Sequence, residues 1–442
     1  MNIELIFSLF FVAISIVVSL RKFGIWSPQF LVVIHFALAV PMRALFLMNF
    51  PDASEYLLNP ILFYYNFDLV VILLSGSCLL FVFLSCFFNK RPSLSRELTL
   101  AREFNVRHLF LFAVIVFLIY LYLAASIFGG ISNAILGFLS RTVDALEGFS
   151  YVTILSDVFV VASLSIFYSA SVNRKRVHYF LALLLVILAL MLLMASGGRG
   201  NLIQYILSLC ILYFGIRGKL SKKAVFVLSL SALVVVSAIF AGLAARKSVQ
   251  NKTDFTVELA DAAQSALPTL SAPFALLDHY NLSTIYVERN GFDYGTQFAN
   301  FILKPIPRLL WPEKPNPIAI EMRITFFGDS LGGIPPGLFG EMYIAFGWFA
   351  LLITPIFMVI CISMISYLMR LQQFRGYSCL VYAILVPYFA FNLMRGGIDI
   401  GLMRILIVLF SIYLVILATS KKKRNENFTS NPLVYEKSRR AL

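Results

Sequence analysis

The chain has 442 residues, of which 60% are hydrophobic and only 13% are charged. Soluble domains carry about 25% charged residues, so this composition excludes an ordinary soluble protein and favours one embedded in lipid. The formal charge of +14 calls for no nucleic-acid partner, because basic residues beside membrane spans set the orientation of a membrane protein and attract anionic headgroups. The five cysteines all lie in apolar runs, which argues against a disulfide framework or a thiolate metal site.

Apolar runs near 20 residues, the length that crosses the hydrocarbon of a bilayer, recur along the chain. These runs are continuously apolar, which predicts helices. We predict eleven transmembrane helices, at about 2–20, 29–49, 66–88, 107–128, 151–171, 178–195, 202–216, 224–244, 342–369, 377–394 and 400–419. The expected fold is an all-α polytopic membrane protein with one long extracytoplasmic loop that contains short helices.

The spans divide the chain into four regions. Residues 1–244 form a bundle of about eight spans, 245–341 the loop with amphipathic helices, 342–420 a second bundle of about three spans, and 421–442 a basic tail. Lys and Arg collect at alternate ends of the spans, as in Arg21 and Lys22, and such ends face the cytoplasm. This pattern predicts an outside N-terminus and a cytoplasmic tail.

Two glycine-flanked turns on the predicted outer face contain arginine. They are Ser196-Gly-Gly-Arg-Gly-Asn201 and Arg395-Gly-Gly-Ile-Asp399. Glycine lets backbone N–H groups converge on an anion, and the arginine guanidinium matches phosphate oxygens in pairs. Arg43 and Arg404 lie one to two turns inside the membrane from the same face, where an unpaired charge is costly. The pattern favours a phosphate or pyrophosphate site; the alternative is a short helical hairpin whose arginines reach the headgroups.

The loop at 245–341 does not read as a disordered linker. Apolar positions at helical spacing between 255 and 270 predict an amphipathic interfacial helix, and the proline-rich piece at 304–315 forbids a regular helix. Asp278-His279-Tyr280 carries the histidine of this face. A rigid loop with aromatic and charged residues at a membrane face favours a binding site, although the aromatic residues also suit an interfacial belt.

Four segments of the chain resemble the O-antigen polymerase (Wzy) family of oligosaccharide repeat-unit polymerases. They are Ser-Gly-Gly-Arg-Gly-Asn (196–201), Ile-Pro-Arg-Leu-Leu-Trp-Pro-Glu-Lys-Pro (306–315), Pro-Pro-Gly-Leu-Phe-Gly-Glu-Met-Tyr-Ile-Ala-Phe-Gly (335–347) and Arg-Gly-Gly (395–397). Each segment is short, and their order carries the resemblance, which extends from about residue 100 to 420. It implies a multi-pass enzyme of the bacterial inner membrane that works on the periplasmic face.

The implied reaction transfers a growing glycan from one undecaprenyl pyrophosphate carrier to the terminal sugar of another lipid-linked repeat unit. A pyrophosphate leaving group requires fixed positive charge. We assign this role first to Arg199, Arg308 and Arg395, and second to Arg246, Arg323 and Arg404. The sequence has no Asp-rich or His-rich cluster on this face, so we expect neither a metal nor another cofactor.

The acceptor hydroxyl requires a base, for which Glu341 and His279 are the candidates. Glu341 could instead cap the N-terminus of the ninth span, and Asp399 could pair with Arg395.

Two other functions remain open at this point. An O-antigen ligase uses the same donor and a different acceptor, and a polysaccharide flippase or other transporter would move the glycan across the membrane. Transporters place charge near the bilayer midplane, whereas here it collects at one face. The expected partners are undecaprenyl-pyrophosphate-linked oligosaccharides and membrane lipids, and the sequence leaves open whether a chain-length regulator binds.

Overall fold

The computed structural model describes residues 3–49, 67–89, 104–130, 133–134, 150–173, 175–195, 199–217, 237, 244, 248, 254, 256–259, 275–303, 306, 311, 313–328, 333–371, 374 and 376–419. Within these residues the chain is almost entirely helical and has no β-strand. The protein is therefore an all-α, multi-pass membrane protein, as the sequence predicts.

The described α-helices are numbered here in chain order. They are α1 (Ile3–Phe23), α2 (Pro28–Ala39), α3 (Pro41–Asn49), α4 (Phe67–Phe88), α5 (Val106–Phe128), α6 (Ser150–Asn173), α7 (Arg176–Ala195), α8 (Arg199–Arg217), α9 (Leu276–Asn290), α10 (Thr296–Leu303), α11 (Ile318–Phe327), α12 (Gly337–Phe346), α13 (Ala350–Leu368), α14 (Ser378–Tyr388) and α15 (Met403–Thr419).

Nine helical segments within the described residues are long and apolar enough to cross a membrane. Each one coincides with a predicted span. Helix α8 contributes a shorter apolar stretch, Gly200–Phe214, at the predicted seventh span. Most of the predicted span at 224–244, of the predicted interfacial helix at 255–270 and of the proline-rich piece lies outside the described residues.

The spans differ in how much of their surface is buried. In α6 and in the segment Ser378–Gly396, 78% of the most apolar stretch is buried, against 22% in α5 and 28% in α1. Helix α6 and the segment Ser378–Gly396 are therefore central in the bundle, whereas α1 and α5 are peripheral. The outer faces of the peripheral helices expose large apolar side chains, such as Phe10 and Leu118, which lipid would cover.

Several apolar segments are interrupted. Pro41, which has no amide hydrogen to donate, separates α2 from α3. A 3₁₀ turn at Gly347–Phe349 separates α12 from α13, and Gly347 adopts a φ of +59° there. Helix α14 continues through a π-helical turn, Phe389–Leu393, a short α-helical turn, Met394–Gly396, and a second π-helical turn, Gly397–Leu402, into α15.

The described part of the long loop is folded onto the bundle. Helix α9 packs along α12, and Gly340 permits the close approach because a methyl group there would overlap Oγ of Ser283. The helix that carries the ninth span begins at Gly337, five residues before the predicted start at 342. The apolar run begins only at Met342, but the α-helical backbone starts earlier and therefore includes Glu341.

Candidate functional site

A buried ion pair joins the long loop to the first bundle. Nε of Arg43 on α3 lies 2.8 Å from Oδ2 of Asp278 on α9, and its Nη2 lies 3.3 Å from Oδ1 of the same carboxylate. Both side chains are almost completely buried, with 2% and 1% exposed. This two-point contact fixes the start of α9 against α3, because an Arg–carboxylate pair of this geometry restricts both distance and angle.

His279 follows Asp278 and is buried beside positive charge. Burial first, and then the charge of Arg395, lower its pKa from 6.5 to about 3. The carboxylate of Asp278 opposes this shift, and Arg43 adds to it. The imidazole is therefore neutral at physiological pH.

Glu341 is buried in the second turn of α12, with 1% of its surface exposed. One oxygen of its carboxylate accepts a short hydrogen bond from the backbone N–H of Ile398. Its own backbone carbonyl accepts a 2.6 Å hydrogen bond from the side-chain amide of Gln297 on α10. Helix α12 begins after Pro336 without any side-chain cap. Glu341 is thus directed at the turn that follows Arg395 and not at the N-terminus of its own helix.

Arg395 lies against the first turn of α8. A methyl group added at Gly200 would lie 3.8 Å from Nη1 of Arg395 and 3.8 Å from Nε2 of Gln204. Gln204 and Asn392 exchange two amide hydrogen bonds of 2.9 and 3.0 Å, which hold α8 against the π-helical turn before Arg395. Gly200, from the first glycine-flanked arginine turn, therefore lies close to Arg395, from the second.

The other predicted arginines have different surroundings. Nη2 of Arg404 lies 2.8 Å from Oδ1 of Asp157 on α6. Arg323 lies over the ring of Phe327, with Cζ 4.4 Å from the ring centroid. The side chains of Arg199 and Asp399 lie outside the described residues, as do Arg246 and Arg308.

Sequence reasoning did not assign a site role to several residues that the structure places here. They are Asp278, Gln297 and the Gln204–Asn392 pair, which form contacts between α9 and α3, between α10 and α12, and between α8 and the π-helical turn before Arg395. Arg43 carried a usable signal, since an arginine inside a span needs a partner. The partner, Asp278, is 235 residues away in the chain, and nothing in the local pattern identifies it.

No family model matches this chain, and no match to it is found among curated proteins or among solved structures. The chemistry open to the site therefore follows from its residues. A guanidinium beside the first turn of a helix can bind an anion, because the helix dipole adds positive charge to the backbone N–H groups at that end. The imidazole near that guanidinium is neutral but a weak base, because burial and positive charge disfavour its protonated form; an anion bound beside Arg395 would offset part of that charge and favour proton acceptance.

Proposed function

We propose that the protein is an oligosaccharide repeat-unit polymerase of the O-antigen polymerase type. The observation that carries the proposal is the position of Arg395 against Gly200 at the first turn of α8. Gly200 and Arg395 belong to two arginine turns that lie far apart in sequence, and Arg395 also lies near the buried His279. Such an arrangement suits a pyrophosphate held by several guanidinium and backbone N–H groups. The ordered segments that resemble this family support the same reading.

In the proposed reaction, the bond between the anomeric carbon of the donor glycan and its undecaprenyl pyrophosphate breaks. The acceptor hydroxyl forms the new glycosidic bond and gives up its proton. We assign proton acceptance to His279, since its imidazole is neutral, and charge stabilisation of the departing pyrophosphate to Arg395 and Arg199. Arg308 keeps its first assignment beside them, and Arg246, Arg323 and Arg404 remain second candidates for contacts with the carrier.

The proposed location is the periplasmic face of the bacterial inner membrane. Basic residues at the opposite ends of the spans support this orientation, as in Arg21, Lys22 and Arg370. On that face, the site would lie near the headgroups, where a polyprenyl carrier presents its pyrophosphate. The partners are then two undecaprenyl-pyrophosphate-linked oligosaccharides and the lipids around them.

Replacing Arg395 or Arg199 with Lys tests the proposal. Lysine keeps the charge but loses the paired N–H groups, so we expect polymerisation to fall at least about tenfold. The measurement uses purified protein with synthetic lipid-linked repeat units and resolves the product ladder. Arg289→Lys is the matched control, since Arg289 is exposed and packs over Phe326.

Each outcome separates the proposal from its rivals. Wild-type protein should extend lipid-linked units into a ladder without any lipid A-core acceptor. A product that forms only when lipid A-core is supplied would identify a ligase, and translocation without bond formation would identify a flippase. Full activity in both lysine variants would overturn the assignment of the arginines.

A further inference from the structure

The last long helix among the described residues, α15, follows directly from a turn in the middle of the candidate site. Gly397 has a φ of +66° and a ψ of −155°, a conformation that favours glycine, and it ends the short turn Met394–Gly396 that carries Arg395. The chain then turns into the π-helical segment Gly397–Leu402 and α15. The N–H groups at such a restart have no carbonyl from the preceding turn to bond to, so a side chain or a ligand must accept from them.

Glu341 supplies an acceptor from another helix. Its carboxylate accepts from the N–H of Ile398, the residue that follows Gly397. The carboxylate also lies so close to Gly397 that a methyl group there would overlap all three atoms of the carboxyl group. Position 397 therefore requires glycine for two reasons: the backbone has a positive φ, and the Glu341 carboxylate leaves no room for a side chain.

The contact is fixed from both sides. The side-chain amide of Gln297 donates to the backbone carbonyl of Glu341, which ties α10 to the same residue of α12. Gly337, one turn earlier on α12, lies against the backbone carbonyl of Met394, since a methyl group there would lie 2.9 Å from that oxygen. Helix α12 therefore touches the turn that carries Arg395 on both sides of the arginine.

We propose that Glu341 is a positioning residue and not the base of the reaction. Its carboxylate acts as an N-cap supplied by a different helix, and it holds the turn Arg395-Gly-Gly in the conformation that directs Arg395 toward Gly200. The role of Arg395 toward pyrophosphate rests on the proposed function. The cap itself is a property of the folded chain and can be tested without substrate.

Glutamine and alanine at position 341 separate the two roles. The side-chain oxygen of Glu341→Gln can still accept from Ile398, whereas Glu341→Ala removes the acceptor. A positioning role predicts that the Gln variant keeps at least a third of the wild-type polymerisation rate and that the Ala variant loses at least about tenfold. A base predicts equal and near-complete loss in both, which would overturn the proposal.

Amide hydrogen exchange gives a reading that does not depend on the reaction. We expect peptides that cover residues 394–402 to exchange at least about tenfold faster in Glu341→Ala than in wild type, and Glu341→Gln to lie much closer to wild type. Unchanged exchange in the Ala variant would overturn the cap. If the exchange result holds while wild-type protein makes no polymer, the proposed function fails and the cap stands.

Glycine variants provide an independent test. Gly397→Ala should displace the Glu341 carboxylate and give the same faster exchange and lower rate as Glu341→Ala. The control is Gly328→Ala, because Gly328 has a similar φ of +70° but nothing within 4 Å of an added methyl group. The control should keep the wild-type rate. A Gly397→Ala protein that matches wild type in rate and exchange would contradict the proposal, and if this variant does not fold, the two substitutions at 341 still decide.

Discussion

The pKa of His279 is determined by its buried position beside Arg395. In the unfolded chain the imidazole titrates near pH 6.5, whereas burial beside Arg395 lowers the folded pKa to about 3. Between these values the unfolded state binds a proton that the folded state does not. Stability contributed by His279 is therefore present above pH 6.5 and is lost progressively as the pH falls toward 3.

This linkage predicts a measurable pH dependence of stability. Between pH 7 and pH 5, acidification should lower the free energy of unfolding by about 2 kcal/mol more in wild type than in His279→Gln. Thermal unfolding of both proteins in detergent across this range checks the prediction. Parallel curves for the two proteins would show that His279 does not titrate between the folded and unfolded states in this way.

The same shift predicts how the reaction depends on pH. If His279 accepts the proton, the polymerisation rate should show no inflection near pH 6.5, because the imidazole stays neutral well below that value. The rate of wild-type protein between pH 5.5 and 8 should change less than about twofold through this group. An inflection near 6.5 that disappears in His279→Gln would contradict the low pKa.

Residue types and short spacings indicated part of this site. Arg395, Glu341 and His279 stand out in the sequence as polar residues at the predicted outer face, and the structure places all three in one region. The role of Glu341 was not predictable. Its partner is a backbone N–H 57 residues away, and only the fold creates the turn at Gly397 that leaves this N–H to be capped. The helix that it caps is the last one, not the ninth span.

At the scale of elements, the pairing of α3 with α9 depends on the buried Arg43–Asp278 contact. Removing one partner leaves the other charge without its counterion in a region where water does not reach. Such a loss costs about 3–5 kcal/mol, whereas replacing both partners with apolar residues is often nearly neutral.

We therefore expect Arg43→Met to destabilise the protein strongly and the double variant Arg43→Met/Asp278→Leu to recover most of the loss. The thermal unfolding midpoints of the purified proteins provide the measurement, with the exposed Arg289→Met as a control that should change little. A double variant as unstable as the single one would indicate that these charges contribute something beyond their mutual pairing.

Helix boundaries followed the apolar runs where the backbone is regular, as in α1, α5 and α7. The interruptions within helical segments could not all be predicted from the apolar runs. Pro41, between α2 and α3, and Pro387, inside α14, are visible in the sequence. The π-helical turns on either side of Arg395, which pack against α8 and α12, have no such signal. Hydropathy does not separate α12 from α13 either, because by length and composition Gly337–Leu368 forms a single apolar helical segment of 32 residues.

For the whole molecule, hydropathy was the strongest predictor. Nine of the predicted spans correspond to helices of sufficient length within the described residues. Hydropathy alone predicted less well which of these helices are central, because α5 and α6 are both long and apolar enough to cross a membrane. The small polar side chains of α6, such as Ser163 and Ser165, mark the central helix, since they are buried against neighbouring helices.

Orientation is the remaining whole-molecule prediction. We expect alkaline phosphatase fused after Gly291 to be active and the same enzyme fused after Arg370 or Thr419 to be inactive, because the basic ends of the spans face the cytoplasm. Fluorescent-protein fusions at these positions should give the opposite pattern. Phosphatase activity at Thr419 would reverse the proposed orientation.

The break at Gly347 has a consequence for how substrates would reach the site. Helix α13 alone has 19 residues, which at about 1.5 Å per residue spans about 28 Å, close to the full thickness of the hydrocarbon. If α13 alone crosses the bilayer, α12 lies at the membrane surface, and the exposed Trp348 and Phe349 lie at the boundary between the two helices. A lipid-anchored donor and acceptor would meet there by diffusing within a plane. Their encounter rate would depend on the number of carriers per unit area of membrane, and diluting the bilayer with inert lipid would slow the reaction even at a constant bulk concentration of carrier.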